Sequence, residues 1–223
     1  MLFDKFRISR DKFELNVKPE NYVNLNRPLP KSIPKPNVGC GIRTETCDAI
    51  VISWIVDPNQ TMNYDNVEAT INFLRQHLTD DMGIVDCKSG VTVNEHKFIY
   101  NIRKMRFFKE GMPRPRVSYC LNLNVNIDGV DYFINSNFDE IGMTGIRDSL
   151  GFAMFQGIME QGNVDTKYNI DDIQNMFYKD LYDETYTKGF LMNAAEDEIF
   201  DEHFPDHPLT VLRHYIKWVI TNN

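Results

Sequence analysis

Residues 119–138 constrain the fold more than any other stretch of the chain. Tyr119, Leu121, Leu123, Val125 and Ile127 alternate with polar residues, Asp128-Gly129 interrupts, and the alternation resumes at Val130, Tyr132, Ile134 and Phe138, with Ser136 the polar exception. A two-residue Asp-Gly loop predicts a type I′ hairpin, because both central residues must take positive φ to match the twist of the flanking strands. That turn pairs Ile127 with Val130, Val125 with Tyr132, Leu123 with Ile134 and Tyr119 with Phe138. All those apolar side chains then fall on one face, so turn chemistry and hydrophobic pattern agree on one register. The opposite face carries Asn122, Asn124, Asn126, Asp131, Asn135 and Asn137. A solvated sheet face gives this pattern, and so does a row of amides that meets a partner. On the second reading Asn122, Asn124, Asn135 and Asn137 are the contact residues.

The flanking sequence extends the sheet and adds helices. Residues 3–17 alternate and read as one or two short strands, followed by RPLPKSIPKP at 27–36, whose prolines exclude regular structure. CDAIVISWIV, 47–56, is apolar at Ile50, Ile52, Trp54 and Val56 on one face and at Val51 and Ile55 on the other, as an interior strand covered on both sides requires. Val67, Ile71, Leu74 and Leu78 then follow helical spacing, and DNVE at 65–68 resembles a capping box with Asp65 as N-cap and Glu68 at N3. GIVDCKSGVTVN reads as two strands around Ser89-Gly90, and HKFIYNIRKMRFF as a further strand. From Met143 the character turns helical, with Ile146, Leu150, Ala153, Met154 and Ile158 on one broad face, and Asn169 caps another helix. The sum is an α+β fold, an antiparallel β-sheet flanked by helices over residues 1–162, with an acidic helical extension over 163–223 packed on it.

Charge narrows the function classes. Residues 163–223 hold twelve Asp or Glu against five Lys or Arg, so nearly all of the chain's net charge of −8 lies there. A phosphate-binding surface needs the opposite sign, so nucleic acid is not expected and a basic protein suits the acidic end. Asp4, Lys5 and Arg7 arrive before any apolar run can develop, which fits neither a signal peptide nor an anchor. With no apolar run of membrane-spanning length, a cytoplasmic protein that binds no membrane is expected. Cys40, Cys47, Cys87 and Cys120 form no C-x-x-C pair and read as buried, reduced thiols.

DEIFDEHFPDHPLTVLRHYIKWV, 197–219, gathers the candidate chemistry. His203 and His207 stand at the spacing that places two imidazoles on one helical face for a metal, with Asp206 beside them. Pro205 lies between them, however, and Pro208 reads as the first position of a new helix, capped by Asp206 or His207, with Leu209, Leu212, Ile216 and Val219 as its buried stripe. Arg147 and Asp148 read as a capping and salt-bridge pair, and Trp54 and Trp218 as core. There is no P-loop, G-x-G-x-x-G or H-E-x-x-H, and DSLG at 148–151 lacks the G-x-S-x-G turn, so no cofactor is expected.

The order of elements over about residues 5–158, with GVTVNEHKFIYNIRKM and the NVNIDGVDYFINSNF hairpin at its centre, resembles the PsbP-like fold family, which includes the DcrB-like bacterial proteins. Where that family often has a glycine-marked turn, this chain has Asn94-Glu95. The tail is similar to the ending of uncharacterised bacterial proteins, mostly small and cytosolic. The resemblance implies an antiparallel sheet flanked by helices and non-enzymatic work as an assembly factor, import cofactor or chaperone. The expected function is thus a cytosolic protein-binding module, such as an adaptor, chaperone or immunity protein of a bacterial toxin system. Its partner would meet the asparagine row and the acidic residues Glu196, Asp197, Asp201 and Glu202. The alternative is a small metal-dependent hydrolase built on His203, His207 and Asp206.

Overall fold

The computed structural model describes residues 13–25, 29, 31–35, 37–60, 62–107, 115–142, 145–160, 180, 182, 185 and 194–223. Six strands, β1 (Asn37–Arg43), β2 (Cys47–Ile55), β3 (Met82–Val91), β4 (Lys97–Phe107), β5 (Arg116–Ile127) and β6 (Val130–Glu140), form one antiparallel sheet in the order β1-β2-β6-β5-β4-β3. The described helices are α1 (Val67–His77), α2 (Ile146–Glu160) and α3 (Pro208–Asn222), with short 3₁₀ turns at Ala194–Glu196 and Glu198–His203. This is the α+β class with helices against an antiparallel sheet. No helix of the described residues is long and apolar enough to cross a membrane.

The β5–β6 hairpin sits at the centre of the sheet in the register its turn dictates. Ile127 faces Val130, Val125 faces Tyr132, Leu123 faces Ile134 and Tyr119 faces Phe138. Asp128 and Gly129 take φ of 50° and 84°, the two positive values of a type I′ turn. The apolar face of this hairpin is the floor of the core, and Leu121, Leu123, Val125, Ile134 and Phe138 are all fully buried in it.

α3 lies across that floor. Leu209, Leu212, Ile216 and Val219 enter the same cluster of buried side chains as the hairpin, so residues 208–219 belong to the sheet's own core. Pro208 occupies the first turn, and the His207 side chain caps it by accepting from Leu209 N–H. The Phe204 ring, just before this helix start, lies 5.8 Å from the Arg147 guanidinium. On the other face of the sheet, α1 seats Ile71 and Leu74 against Ile84 and Cys87, flanked by Val67 and Leu78. Both helical stripes are those the spacing predicts.

Several expectations need correction. The cap of α1 is Asn66, not Asp65: the Asn66 side chain accepts from Ala69 N–H at 2.8 Å, while Asp65 pairs with Lys97 at 2.9 Å. β3 runs unbroken through Ser89-Gly90, and the reversal falls between Val91 and Lys97, where Glu95 takes a φ of 64°. Glu95 thus adopts the left-handed conformation for which a glycine is the usual choice. Residues 13–17 alternate in burial, with Leu15 and Val17 in the core, yet they form no strand. Their backbone is satisfied by side chains instead: Asn16 N–H donates to the Asn223 amide oxygen at 2.7 Å, and Val17 C=O accepts from the Tyr215 hydroxyl at 3.0 Å. α2 turns Leu150 and Ala153 outward and buries Arg147 and Gly151, where an added Cβ would meet the Ala195 methyl at 2.8 Å. Helical periodicity is satisfied on that helix by a stripe containing a charge, which an apolar template does not find. Residues 1–12 and the helix expected from Asn169 lie outside the described residues.

Candidate functional site

Two features stand out where the C-terminal segment meets the sheet, a buried cluster of charges and an open cleft beside it. The cluster begins with β4. Phe98, Tyr100 and Ile102 point into the core, and the next residue in phase is Lys104, with a fully buried side chain. Its ammonium pairs with the Glu196 carboxylate, itself 2% exposed, and Asp148 stands 3.6 Å away. Tyr119 donates its hydroxyl to Glu196 at 3.3 Å. Burial, then the Glu196 carboxylate, pushes that phenol well above the ordinary tyrosine range.

Arg147, also buried, links α2 to the C-terminal segment. Its guanidinium donates to Ala195 C=O at 2.7 Å, Thr210 Oγ1 at 2.8 Å, Asp197 C=O at 3.0 Å and Asp201 Oδ1 at 2.8 Å. Asp201 accepts in addition from Thr210 at 3.2 Å and from Arg213 at 2.9 Å. Every one of these links ties residues 194–213 to the first turn of α2 or to α3. The arrangement meets the requirement that a buried charge be paired and hydrogen-bonded, and its plainest role is to fix the C-terminal segment on the sheet.

The residues singled out by their sequence pattern distribute unevenly over this frame. Glu196 is 3% exposed and spent on Lys104, so it does not face a partner. Asp197 caps the 3₁₀ turn through Ile199 N–H, and Asp201 is held by two arginines; of the four acids only Glu202 is exposed. His203 and Asp206 are exposed, whereas His207 is buried, with Nδ1 accepting from Leu209 N–H and Nε2 3.6 Å from Glu140. Both ring nitrogens of His207 are therefore engaged, and the two imidazoles share no ligand set. Among the described residues no group of three or more His, Cys, Asp or Glu is placed to hold a metal ion.

The asparagine row is half-covered. Asn124 is buried, the Asn122 and Asn135 amides meet across the strands at 2.8 Å, and Asn137 accepts from the Cys120 thiol at 2.9 Å. Asn126 bonds Asp131 at 2.5 Å, which also accepts from Tyr64 at 2.8 Å. These amides serve mainly as cross-strand pairs. Asn124 in particular is not a surface contact.

Sequence reasoning missed the cleft. It measures about 430 Å³ and lies between α3 and the outer strands β3 and β4, on the side of the sheet that carries the core. Phe98 and Tyr100 from β4 and Ile216 and Ile220 from α3 supply an apolar floor. Lys88, Glu198 and Lys217 stand at the rim. Lys88 is drawn sideways by two carboxylates, Asp86 at 2.9 Å and Glu198 at 3.3 Å, and Tyr100 donates to Asp86 at 2.8 Å. Arg213 lines the cleft while bonding Asp201, so the buried cluster forms one wall of it. No short motif marks such a site, because its residues come from four elements, β3, β4, the 3₁₀ turn at Glu198–His203 and α3, spread over more than 130 residues of chain.

Burial, with Asp86 alongside, raises the pKa of Tyr100 and Tyr182, so both stay neutral hydroxyls, and the Cys87 thiol behind the strand is pushed up to about 12. None is activated as a base or nucleophile near neutral pH. The cleft can seat apolar side chains and offer hydrogen bonds. Compared with known proteins, the chain matches no family model and no curated protein.

Proposed function

We propose that the chain is a non-enzymatic protein-binding module of the cytoplasm, an adaptor, chaperone or toxin-immunity protein, and that its docking surface is the cleft between α3 and β3. The observation that carries this reading is a cleft of about 430 Å³ with an apolar floor and a charged rim that opens along an edge of the sheet. Pockets with an apolar base and a few placed polar groups are the usual form of a binding site. The acids named from sequence are largely spent inside the fold, so the docking surface moves from the acidic run to the cleft beside it. The net charge of −8 remains, and it favours a basic partner by speeding encounter. A six-stranded antiparallel sheet with helices on both faces supports a PsbP-like architecture and, with it, the non-enzymatic class.

The test uses short random peptides displayed on phage and selected against the purified chain. The reading expects a consensus that binds the free protein in solution and weakens by about tenfold or more in Thr221→Arg, which fills the cleft mouth from an exposed position of α3. A selection that yields no consensus, or a consensus indifferent to Thr221→Arg and Lys217→Glu together, would overturn it.

A further inference from the structure

We infer that the segment bound at this cleft is an extended peptide that joins the sheet as a seventh strand on β3, placing an apolar side chain on the floor formed by Phe98, Tyr100, Ile216 and Ile220. This rests on the protein-binding reading above and specifies its ligand. Among the described residues β3 is an edge of the sheet, since its one strand neighbour is β4. The direction of its free backbone groups follows from one hydrogen bond. Cys87 N–H donates outward to the Tyr182 hydroxyl at 2.6 Å, so strand alternation turns the N–H and C=O of Ser89 and Val91 to the same open side. Among the described residues, the edge is therefore capped at Cys87 and open over the next two outward-facing residues.

Three features make this edge receptive. A lysine on an edge strand usually guards it against pairing. Here Lys88 is pulled back onto Asp86 and Glu198, which clears the strand. Gly90 presents no side chain towards the cleft, where a Cβ would stand 3.0 Å from the Phe98 ring, so the floor is reachable from the edge. Val91 is 59% exposed on the other face, an apolar contact for the alternate side chain of an incoming strand. Edge-strand addition draws affinity from main-chain hydrogen bonds and specificity from pockets that take alternate side chains, and this edge offers both.

A second copy of the chain fits less well. In a β3–β3 pair the side chains carried over the neighbouring cleft would be Asp86, Lys88 and Gly90, none of which fills an apolar floor. The favoured ligand is a segment with apolar residues at alternate positions, extended in its free or bound form.

The experiment takes the consensus peptide from the phage selection and replaces its backbone amides one at a time by N-methyl amides. Strand addition expects losses of about tenfold at alternate positions and little effect between them, because only every second amide of an added strand faces β3. Amide exchange at Ser89 and Val91 should slow on peptide binding, while that at Lys88 and Gly90, already bonded to β4, should not change. A peptide that binds and depends on Thr221 but shows no alternation and no protection of Ser89 and Val91 would overturn the strand and leave the docking surface in place. Binding lost in both chain variants and at every peptide position alike would point to a helical or globular ligand, again against the strand. Concentration-dependent dimerisation that protects Ser89 and Val91 without peptide would replace the peptide by a second copy. Failure to select any peptide would remove the protein-binding reading itself, and this inference with it.

Discussion

Replacing Glu196 by Gln changes one oxygen for an amide, yet it leaves the Lys104 ammonium, fully buried in the sheet's core layer, with its nearest carboxylate partner neutralised. Asp148, 40% exposed and 3.6 Å away, compensates in part. Breaking one partner of a buried ion pair costs about 3–5 kcal/mol, because the surviving charge keeps its desolvation penalty and loses the attraction that offset it. In a chain of this size that corresponds to a fall in Tm of roughly 6–20 °C. Lys104→Met alone should destabilise by a similar amount, since it removes the cation paired with the buried Glu196 carboxylate. The double variant Lys104→Met with Glu196→Gln removes both charges and should recover most of the loss. Urea unfolding followed by far-ultraviolet circular dichroism measures all four corners of the cycle. Single variants that lose less than about 1 kcal/mol, or a double variant that loses the sum of the two, would refute the claim that this pair is structural and interdependent.

Three further outcomes follow from particular side chains. Gly129→Ala should destabilise by about 1–2 kcal/mol in the same assay, because its φ of 84° is strained for any Cβ-bearing residue even though nothing crowds the site. Burial lowers the pKa of His207, with Arg147 adding to the effect and Glu140 and Asp148 opposing it. The unfolded chain then binds more protons than the folded one below the ordinary histidine pKa, so this residue's contribution is complete above about pH 6.5 and is lost as pH falls towards its folded value. His207→Asn, which keeps a capping side chain, should therefore flatten the stability loss between neutral pH and the acid side of that value. Cys40 and Cys47, buried and with pKa values raised to about 11 and about 12, should resist alkylation in the native protein at mildly alkaline pH and react at once in denaturant.

Local signals in the chain account for the elements whose determinants lie close together in sequence. The Asp128-Gly129 turn sets the register of the central hairpin, and apolar spacing alone places the buried faces of α1 and α3. Pro208 and His207 are enough to start the last helix. What escaped reading depends on distant residues. β1 contains Gly39 and Gly41, which have weak strand propensity; the strand exists because β2 lies beside it on one edge and Val23 exchanges backbone hydrogen bonds with Gly41 at 2.6 Å on the other, while Leu25 lies close enough to Gly39 that a Cβ there would meet it at 2.8 Å. Residues 13–17 have the burial pattern of a strand without strand partners, since periodicity reports which side chains go inside and not where the backbone bonds are made. The acidic run at 196–202 looks like a surface because its cations, Lys104, Arg147 and Arg213, come from other elements. One of these was legible in principle: Lys104 continues the inward phase of Phe98, Tyr100 and Ile102, and a lysine in a core phase demands a buried carboxylate. The cleft had no such signal, because it is made by the distance between α3 and the edge of the sheet.

The central claim is that a partner docks in the cleft between α3 and β3, and site-specific photocrosslinking tests it most directly. A benzophenone side chain placed at Lys217, at the cleft rim, is compared with one at Glu68, on α1 across the sheet, in the cells that make the protein. The account predicts one discrete protein adduct from position 217 that disappears with Thr221→Arg and is absent from position 68. Adducts from position 68 alone, or none from position 217 under conditions where the consensus peptide crosslinks there in vitro, would contradict it.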